Sequence, residues 1–285
     1  MKRKKTAAER VWSVFRFLII SGLGFIILYP LIYMVSCTFR ERGDMNDPTV
    51  VWLPRNFTFS VLKETVQAMD FPRTLVNTFV LNVVCTVFQI VSCALTGYGF
   101  ARFDFKGKNI LFGCVIATLI VPVQSFVVPL YKHFLGLKLL NTAFPILLLS
   151  AGGIGLKSGL YIFLFRQRFA GIPKELEESG KIDGAGDFRI FRSIMVPSAL
   201  TIFVTCLLFS FVWQWTDNYY ISVFMPTNKY LANMVSLLAT ISTDDYSLSL
   251  LTNAGVILLI LPILFIFLIA QRFFVQGVET AGIVG

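Results

Sequence analysis

The sequence is poor in charge, since only 14% of its 285 residues are Asp, Glu, Lys or Arg, whereas soluble domains carry about 25%. It has a single histidine, and none of its five cysteines belongs to a Cys-x-x-Cys pair. Each cysteine lies in or beside an apolar run, where packing is its ordinary role. The formal net charge is +9, but no basic face is interleaved with aromatic residues. The sequence therefore argues against a soluble core, a metal or redox site, and nucleic-acid binding.

In place of charge the chain has long apolar runs, with 56% hydrophobic residues and a mean hydropathy of +0.74. A run of about 20 nearly uncharged residues is long enough to cross a bilayer as a helix. Six runs are predicted to do so, at 14–37, 75–101, 109–131, 143–165, 199–224 and 252–274. The predicted fold class is an all-α polytopic integral membrane protein, with one transmembrane domain over residues 1–285.

Lys and Arg are distributed unevenly between the two sets of loops. The loops on the side of the two termini carry 16 of them, the opposite loops carry 8, and Lys157 falls inside the fourth run. Because basic residues are retained in the cytoplasm, both termini and segment 166–198 are predicted to be cytoplasmic. Segments 39–73 and 225–250 are predicted as outer loops, the first with a short helix around 60–69.

Residues 173–187, PKELEESGKIDGAGD, form a charged island between apolar runs. Pro173 suits the first position of a helix. The glutamates that complement the dipole of that helix are Glu175, Glu177 and Glu178. Gly180 and the Asp183–Gly184 pair weaken and end it, and Asp187 is predicted to cap a second helix. The resulting helix–turn–helix is interpreted either as a docking element for a partner or as a solvated connector.

The spacing in this segment resembles the EAA signature of permease subunits in bacterial ATP-binding-cassette importers. That signature is Glu-Ala-Ala, three residues, Gly, nine residues, Ile, one residue and Leu-Pro. The matching residues here are Glu178-Ser179-Gly180, Gly184, Ile194 and Val196-Pro197, with every spacing kept and with Ser, Gly and Val replacing Ala, Ala and Leu. Stretch 94–112 also resembles the family's link between two spans, and 135–142 resembles another stretch of the family's sequence. Stretch 271–285 resembles the C-terminal tail of the maltose-type subunit, within the carbohydrate-uptake branch.

This resemblance implies a sugar importer in a bacterial cell membrane. Its parts would be two different permease subunits, two cytoplasmic ATPase subunits and an extracytoplasmic sugar-binding protein. Segment 166–198, called the coupling segment below, would dock on the ATPase through residues 175–185. The residues implied in coupling are Glu175, Glu178, Ser179, Gly180, Asp183, Gly184, Ala185, Ile194 and Pro197.

The chain itself is expected to bind no cofactor and to have no ATPase activity, with ATP and Mg bound by the ATPase subunits. The stretch AGGIGLKSG at 151–159 has Leu156 where a phosphate-binding loop requires glycine before lysine.

Polar residues inside the apolar runs are candidates for the substrate pathway. The stretch VWQWTDNYY at 212–220 offers hydrogen bonds together with aromatic faces, a combination suited to sugars. The candidates are Gln124, Lys157, Gln214, Trp215, Asp217, Asn218 and Tyr219. An aromatic belt and interhelical hydrogen bonding are open alternatives. Lys157 either faces a cavity at a broken helix or snorkels from a shorter span.

For the whole chain, the alternative functions are an ion-coupled secondary transporter and an importer permease for a non-sugar solute.

Overall fold

The computed structural model describes residues 7–47, 52–241 and 245–282, and these form helices joined by short connections. The helices, numbered along the chain, are α1 Ala7–Thr38, α2 Ser60–Ala68, α3 Phe71–Arg102, α4 Lys108–Ile120, α5 Gln124–Gly136, α6 Phe144–Ala151, α7 Ser158–Ala170, α8 Glu175–Ile182, α9 Asp187–Ile190, α10 Val196–Ser198, α11 Leu200–Trp215, α12 Tyr219–Phe224, α13 Leu231–Ile241 and α14 Asp245–Gly282. A 3-10 turn covers Arg42–Asn46 and a π-helical turn covers Phe191–Met195. The described residues contain no strand beyond one isolated bridge, so the predicted all-α class is confirmed.

Contacts group the chain into two compact units, of which the first comprises Met1–Phe71 and Val235–Ile260. The apolar window of α1 is 0% buried within this chain and has a mean hydropathy of 2.3, which suits a helix that crosses a bilayer. The small core of this unit consists of Cys37, Val61, Leu250, Leu251 and Ala254, with Tyr33 packed against them. The short helix predicted around 60–69 is α2.

The second unit comprises Pro72–Met234 and Leu261–Gly285. Its largest core cluster is built on aromatic residues of α7, with residues of α3, α11 and the coupling segment packed around them. The α3 helix comes very close to α7 at Gly97, where an added Cβ would lie 2.6 Å from Cβ of Phe165. A second cluster packs Phe134 of α5 against Phe224 of α12, with ring centroids 5.3 Å apart.

Three of the predicted spans correspond to single helices, namely 14–37 in α1, 75–101 in α3 and 252–274 in α14. By length and hydropathy, three helices of the described residues are able to cross a membrane, or up to five if each of two bent helix pairs is one span. The six-span count and the single-domain organisation stay predictions.

The other three apolar runs are interrupted. In 109–131, α4 and α5 meet at an angle of 103°, and Val121 is extended (φ −71°, ψ 123°) because a residue that precedes proline avoids the helical region. Run 143–165 is broken at 152–157 and run 199–224 at 216–218. Segment 225–250, expected as a loop, contains α13 and the start of α14.

Candidate coupling surface and substrate pathway

The coupling segment starts with α8, the charged helix expected from the sequence. Its first turn carries the acidic residues Glu175, Glu177 and Glu178. Pro173 lies outside it, since Lys174 occupies the N-cap position and no side chain caps the helix. The next helix, α9, begins at Asp187 with Gly186 at its N-cap, so the predicted capping by Asp187 is wrong. Its carboxylate instead lies 3.8 Å from Nζ of Lys181.

A Schellman motif ends α8. The N–H of Ala185 donates to the carbonyl of Gly180 at 2.9 Å, and the N–H of Gly184 donates to that of Lys181 at 3.0 Å. Gly184 has φ +77°, a left-handed conformation that glycine adopts without steric cost. The Asp183–Gly184 pair therefore ends the helix where the sequence indicated.

Gly180 lets α8 pack closely against the turn that follows α9. A Cβ at this position would lie 3.0 Å from Cδ1 of Ile194 and 3.3 Å from Cγ1 of Ile190. Ala185 and Ile194 are half-buried against the same core, whereas Pro197 is exposed in the short helix α10. The coupling segment is thus held in its shape by internal packing at Gly180, Ala185 and Ile194.

The outer face of α8 and its turn is exposed and mixes charge with apolar area. Its exposed polar residues are Glu175, Glu178, Ser179, Lys181 and Asp183. Beside them Leu176 is 46% exposed, Ile182 86% and Phe188 70%. Exposed apolar side chains rimmed by polar residues are typical of a surface that another protein covers. These eight residues are called the coupling surface below.

An ion pair holds the inner face of α8. The Glu177 carboxylate pairs with the guanidinium of Arg102 at the end of α3, and the two side chains are only 12% and 6% exposed. Arg102 also donates to the carbonyl of Ile172. Arg168 of α7 donates to the carbonyl of Ser198. Arginine side chains therefore fix the backbone on both sides of the coupling segment.

Gln89 of α3 is the centre of a buried polar cluster. Its Nε2 donates to the carbonyl of Leu156 and to Oγ of Ser158, both at 2.7 Å. Its Oε1 accepts from Oγ of Ser210 at 2.7 Å and from Nε2 of Gln214 at 2.9 Å. Two donated and two accepted bonds use the full capacity of a carboxamide. The cluster joins α3, the α6–α7 break and α11.

Three of the predicted pathway residues have internal roles. Gln214 is 8% exposed and Trp215 is 1% exposed, the latter stacked on Phe211 with ring centroids 5.5 Å apart. The cavity that Gln214 and Asp217 line has a volume of ≈ 20 Å³, enough for a water molecule but not for a sugar. Oδ1 of Asp217 accepts the N–H of Tyr219 at 3.1 Å at the start of α12.

Gln124 and Lys157 line a much larger cavity, of ≈ 820 Å³, beside α4, α5, α7 and the α6–α7 break. Lys157 has φ +60°, and its Nζ lies 4.8 Å from the ring centroid of Trp213. No carboxylate occurs among the residues that line this cavity within the described part of the chain. Lys157 thus lies at a broken helix facing a cavity. Asn218 and Tyr219 are exposed at the start of α12.

Sequence reasoning missed Glu177 and Arg102 as site residues, and it noted Trp213 only as one of the aromatic residues of 212–220. The helical spacing held a usable signal for Glu177, because a residue three positions before Gly180 shares its face of the helix, and that face is buried. No local signal marks Arg102, since its partner Glu177 is far away in the sequence.

Comparison with known proteins gives one family and several relatives. The model of the family described as "Binding-protein-dependent transport system inner membrane component" matches residues 93–280. A probable ABC transporter permease protein of Pyrococcus horikoshii is 31% identical over 268 residues, which cover 91% of this chain and 94% of that protein. The arabinooligosaccharides transport system permease protein AraQ of Halalkalibacterium halodurans is 26% identical, covering 92% of this chain and 93% of AraQ.

The lactose transport system permease protein LacG of Rhizobium radiobacter is 27% identical, covering 95% of this chain and 97% of LacG. Among solved structures, a chain of a bacterial ABC transporter involved in the import of the acidic polysaccharide alginate has a TM-score of 0.80 at 19% identity, covering 96% of this chain and 100% of that chain. At this identity the structural likeness shows the fold alone.

Proposed function

The chain belongs to the family of binding-protein-dependent transport system inner membrane components, and we propose that it forms, with a second permease subunit, the pathway by which a sugar enters a cell. The sugar would be delivered by an extracytoplasmic binding protein. Two ATPase subunits would drive transport through the coupling segment.

The observation that carries this proposal is that one face of α8 is buried against the rest of the chain while the opposite face is exposed. Its inner face packs at Gly180 against Ile190 and Ile194, and Glu177 on the same face pairs with Arg102 at the end of α3. Its outer face presents Ile182, 86% exposed, among charged residues, and Phe188 of the following helix α9 is 70% exposed. A solvated connector has no need for such large exposed apolar side chains, and a docking element uses them to bind. The coupling surface is therefore our candidate for the contact with the ATPase.

A sugar cargo is supported by the names of the relatives. Those named for arabinooligosaccharides, for lactose and for melibiose, raffinose and stachyose align over 90% or more of this chain. An oligosaccharide is the cargo we favour. An ion-coupled secondary transporter is not favoured, because membership of this importer family gives the coupling segment a role that such a transporter lacks.

We place the ATPase activity on other subunits, which would bind ATP and Mg. The stretch at 151–159 lies across the α6–α7 break, between two helices, whereas a phosphate-binding loop connects a strand to a helix. This chain would then bind no cofactor of its own. The excess of Lys and Arg on one side supports both termini being cytoplasmic in a bacterial cell membrane.

For the substrate pathway we retain Gln124 and Lys157, which line the large cavity, and add Trp213. Asn218 and Tyr219 remain candidates at the exposed start of α12. Gln amides and aromatic faces are groups that bind sugar hydroxyls and ring carbons. Gln214, Trp215 and Asp217 are better explained by the hydrogen bonding and packing described above.

The proposal is tested by reconstituting the chain in liposomes with its companion permease, the ATPase subunits and the binding protein. Uptake of labelled oligosaccharide should require both ATP and the binding protein. Glu178→Lys and Gly184→Asp should reduce uptake strongly while the membrane helices stay folded, since both positions are exposed. Uptake that persists without ATP, or that is driven by an ion gradient, would contradict the proposal.

A further inference from the structure

Both side chains of the Arg102–Glu177 ion pair are almost entirely buried, at 6% and 12% exposure. The neighbouring Lys181–Asp187 pair on the same segment is open to solvent, at 60% and 55%, with 3.8 Å between charged atoms. Exposed pairs of that kind contribute little. A buried charge that loses its partner is strongly unfavourable, so separating Arg102 from Glu177 is costly.

The pair connects two elements that are far apart in the sequence. Arg102 ends α3, and Glu177 lies on the inner face of α8. The same guanidinium also donates to the carbonyl of Ile172, in the connection that leads into α8. The first half of the coupling segment is therefore attached to the end of one long helix.

That helix leads to the large cavity. Gln89 lies 13 residues before Arg102 on α3, a distance of about 20 Å along a helix axis. Its carboxamide donates to Leu156 in the α6–α7 break and to Ser158, the first residue of α7, and both residues line the cavity beside Lys157. Described contacts thus run without interruption from α8 through α3 to the cavity wall.

We infer that the Arg102–Glu177 pair makes α3 and α8 a single moving unit, which carries displacement of the coupling segment to the cavity wall held by Gln89. Arg102 and Glu177 are in this view positioning residues, which act through α8 and touch neither ATP nor sugar. The inference rests on the proposed function, because it assumes that the ATPase subunits displace α8 and that this displacement must reach the membrane helices.

The test uses the whole reconstituted complex and measures sugar uptake and ATP hydrolysis together. Glu177→Gln removes the charge with little change of shape, and Arg102→Lys keeps the charge but loses the forked geometry. We expect Glu177→Gln to lower the sugar transported per ATP hydrolysed by at least about tenfold, with hydrolysis retained, and Arg102→Lys to have a smaller effect. The matched control is Asp104→Asn, which breaks an exposed pair with Lys108 at 98% exposure of the aspartate and should leave the ratio unchanged.

A covalent link provides a second and independent measurement. Cys114 is the exposed cysteine of this chain and the other four are buried, so Cys114→Ser is the background for Arg102→Cys with Glu177→Cys. Joining the two new thiols with a short bifunctional reagent should raise the transport-to-hydrolysis ratio above that of the unlinked double variant. A link that stops transport would overturn the inference, because α3 and α8 would then have to separate during the cycle.

The remaining outcomes are also decisive. Loss of assembly in Glu177→Gln and Arg102→Lys, in place of uncoupled hydrolysis, would assign the pair a role in stability alone and would contradict the inference. Failure of the unaltered complex to show ATP-dependent uptake would instead refute the proposed function. Hydrogen exchange at residues 175–182 in the complex is then still informative, because a released α8 should exchange faster in Glu177→Gln than in Asp104→Asn.

Discussion

Replacing Gln89 by alanine should strongly destabilise the packing of α3 against α7 and α11 in the membrane core. Gln89 is 0% exposed and makes four hydrogen bonds of 2.7 to 2.9 Å. At about 0.6 kcal/mol for each bond between membrane helices, and about 1 kcal/mol in soluble cores, the loss is about 2–4 kcal/mol. The alanine also leaves a cavity where the carboxamide was, which adds to this cost.

Thermal unfolding of the purified complex measures the effect, with a fall in Tm of roughly 4–12 °C expected at about 2–3 °C per kcal/mol. Gln67→Ala is the matched control, since Gln67 is an exposed glutamine on a helix and its loss should change Tm little. Ser210→Ala combined with Gln89→Ala should cost less than the sum of the two, because the side chains share one bond. Equal Tm values for Gln89→Ala and Gln67→Ala would refute the assignment of Gln89 as the centre of the polar cluster.

Three further predictions follow from exposure and close contact. Gly97→Ala should lower the free energy of unfolding by about 1–3 kcal/mol, because the new methyl group overpacks against Phe165. Gly99→Ala on the same helix meets open space and should leave stability unchanged, as a comparison of the two Tm values will test. Ile182→Glu, at a position 86% exposed, should leave Tm unchanged and abolish co-purification of the ATPase subunits, and retained co-purification would count against the coupling surface. Lys157→Gly, which suits φ +60°, should raise the KM of uptake by about tenfold if the ammonium binds substrate, while an unchanged KM would exclude Lys157 from the pathway.

Local chemistry made much of the coupling segment predictable. The end of α8 depends on Gly184, which adopts a left-handed conformation, and an Asp-Gly pair after a charged helix is a strong signal for such an end. The start of α9 was less predictable, because Gly186 occupies the cap and Asp187 the first turn. Helix boundaries are set by the competition of neighbouring residues for one cap position, and sequence alone does not decide that competition.

The side-chain roles inside the membrane could not be read from the sequence, because they depend on partners distant in the chain. Gln214 and Gln124 are the same residue type in apolar runs, yet Gln214 bonds to Gln89 and Gln124 lines the large cavity. Hydropathy assigns both glutamines to spans, but it does not tell which face of the helix each one occupies. Similarly, Trp213 and Trp215 are two residues apart, and Trp213 faces Lys157 while Trp215 is buried.

The broken helices and the cavity have a common physical cause in the backbone. A helix break in a membrane frees carbonyl and N–H groups that lipid cannot bind, so irregular backbone is tolerated only where protein or a water-filled cavity satisfies it. At the α6–α7 break, Nε2 of Gln89 donates a hydrogen bond to the carbonyl of Leu156. The large cavity is lined by Leu156 and by the other residues of the break. Space beside Gly155 is tight, since a Cβ there would lie 3.1 Å from Nε2 of Gln89 and 3.2 Å from Cα of Ser150. Gly155→Ala should therefore displace the Gln89 carboxamide, and its effect on Tm should be smaller in the Gln89→Ala background, where only the contact with Ser150 remains. Independent costs would give the same effect on Tm in both backgrounds.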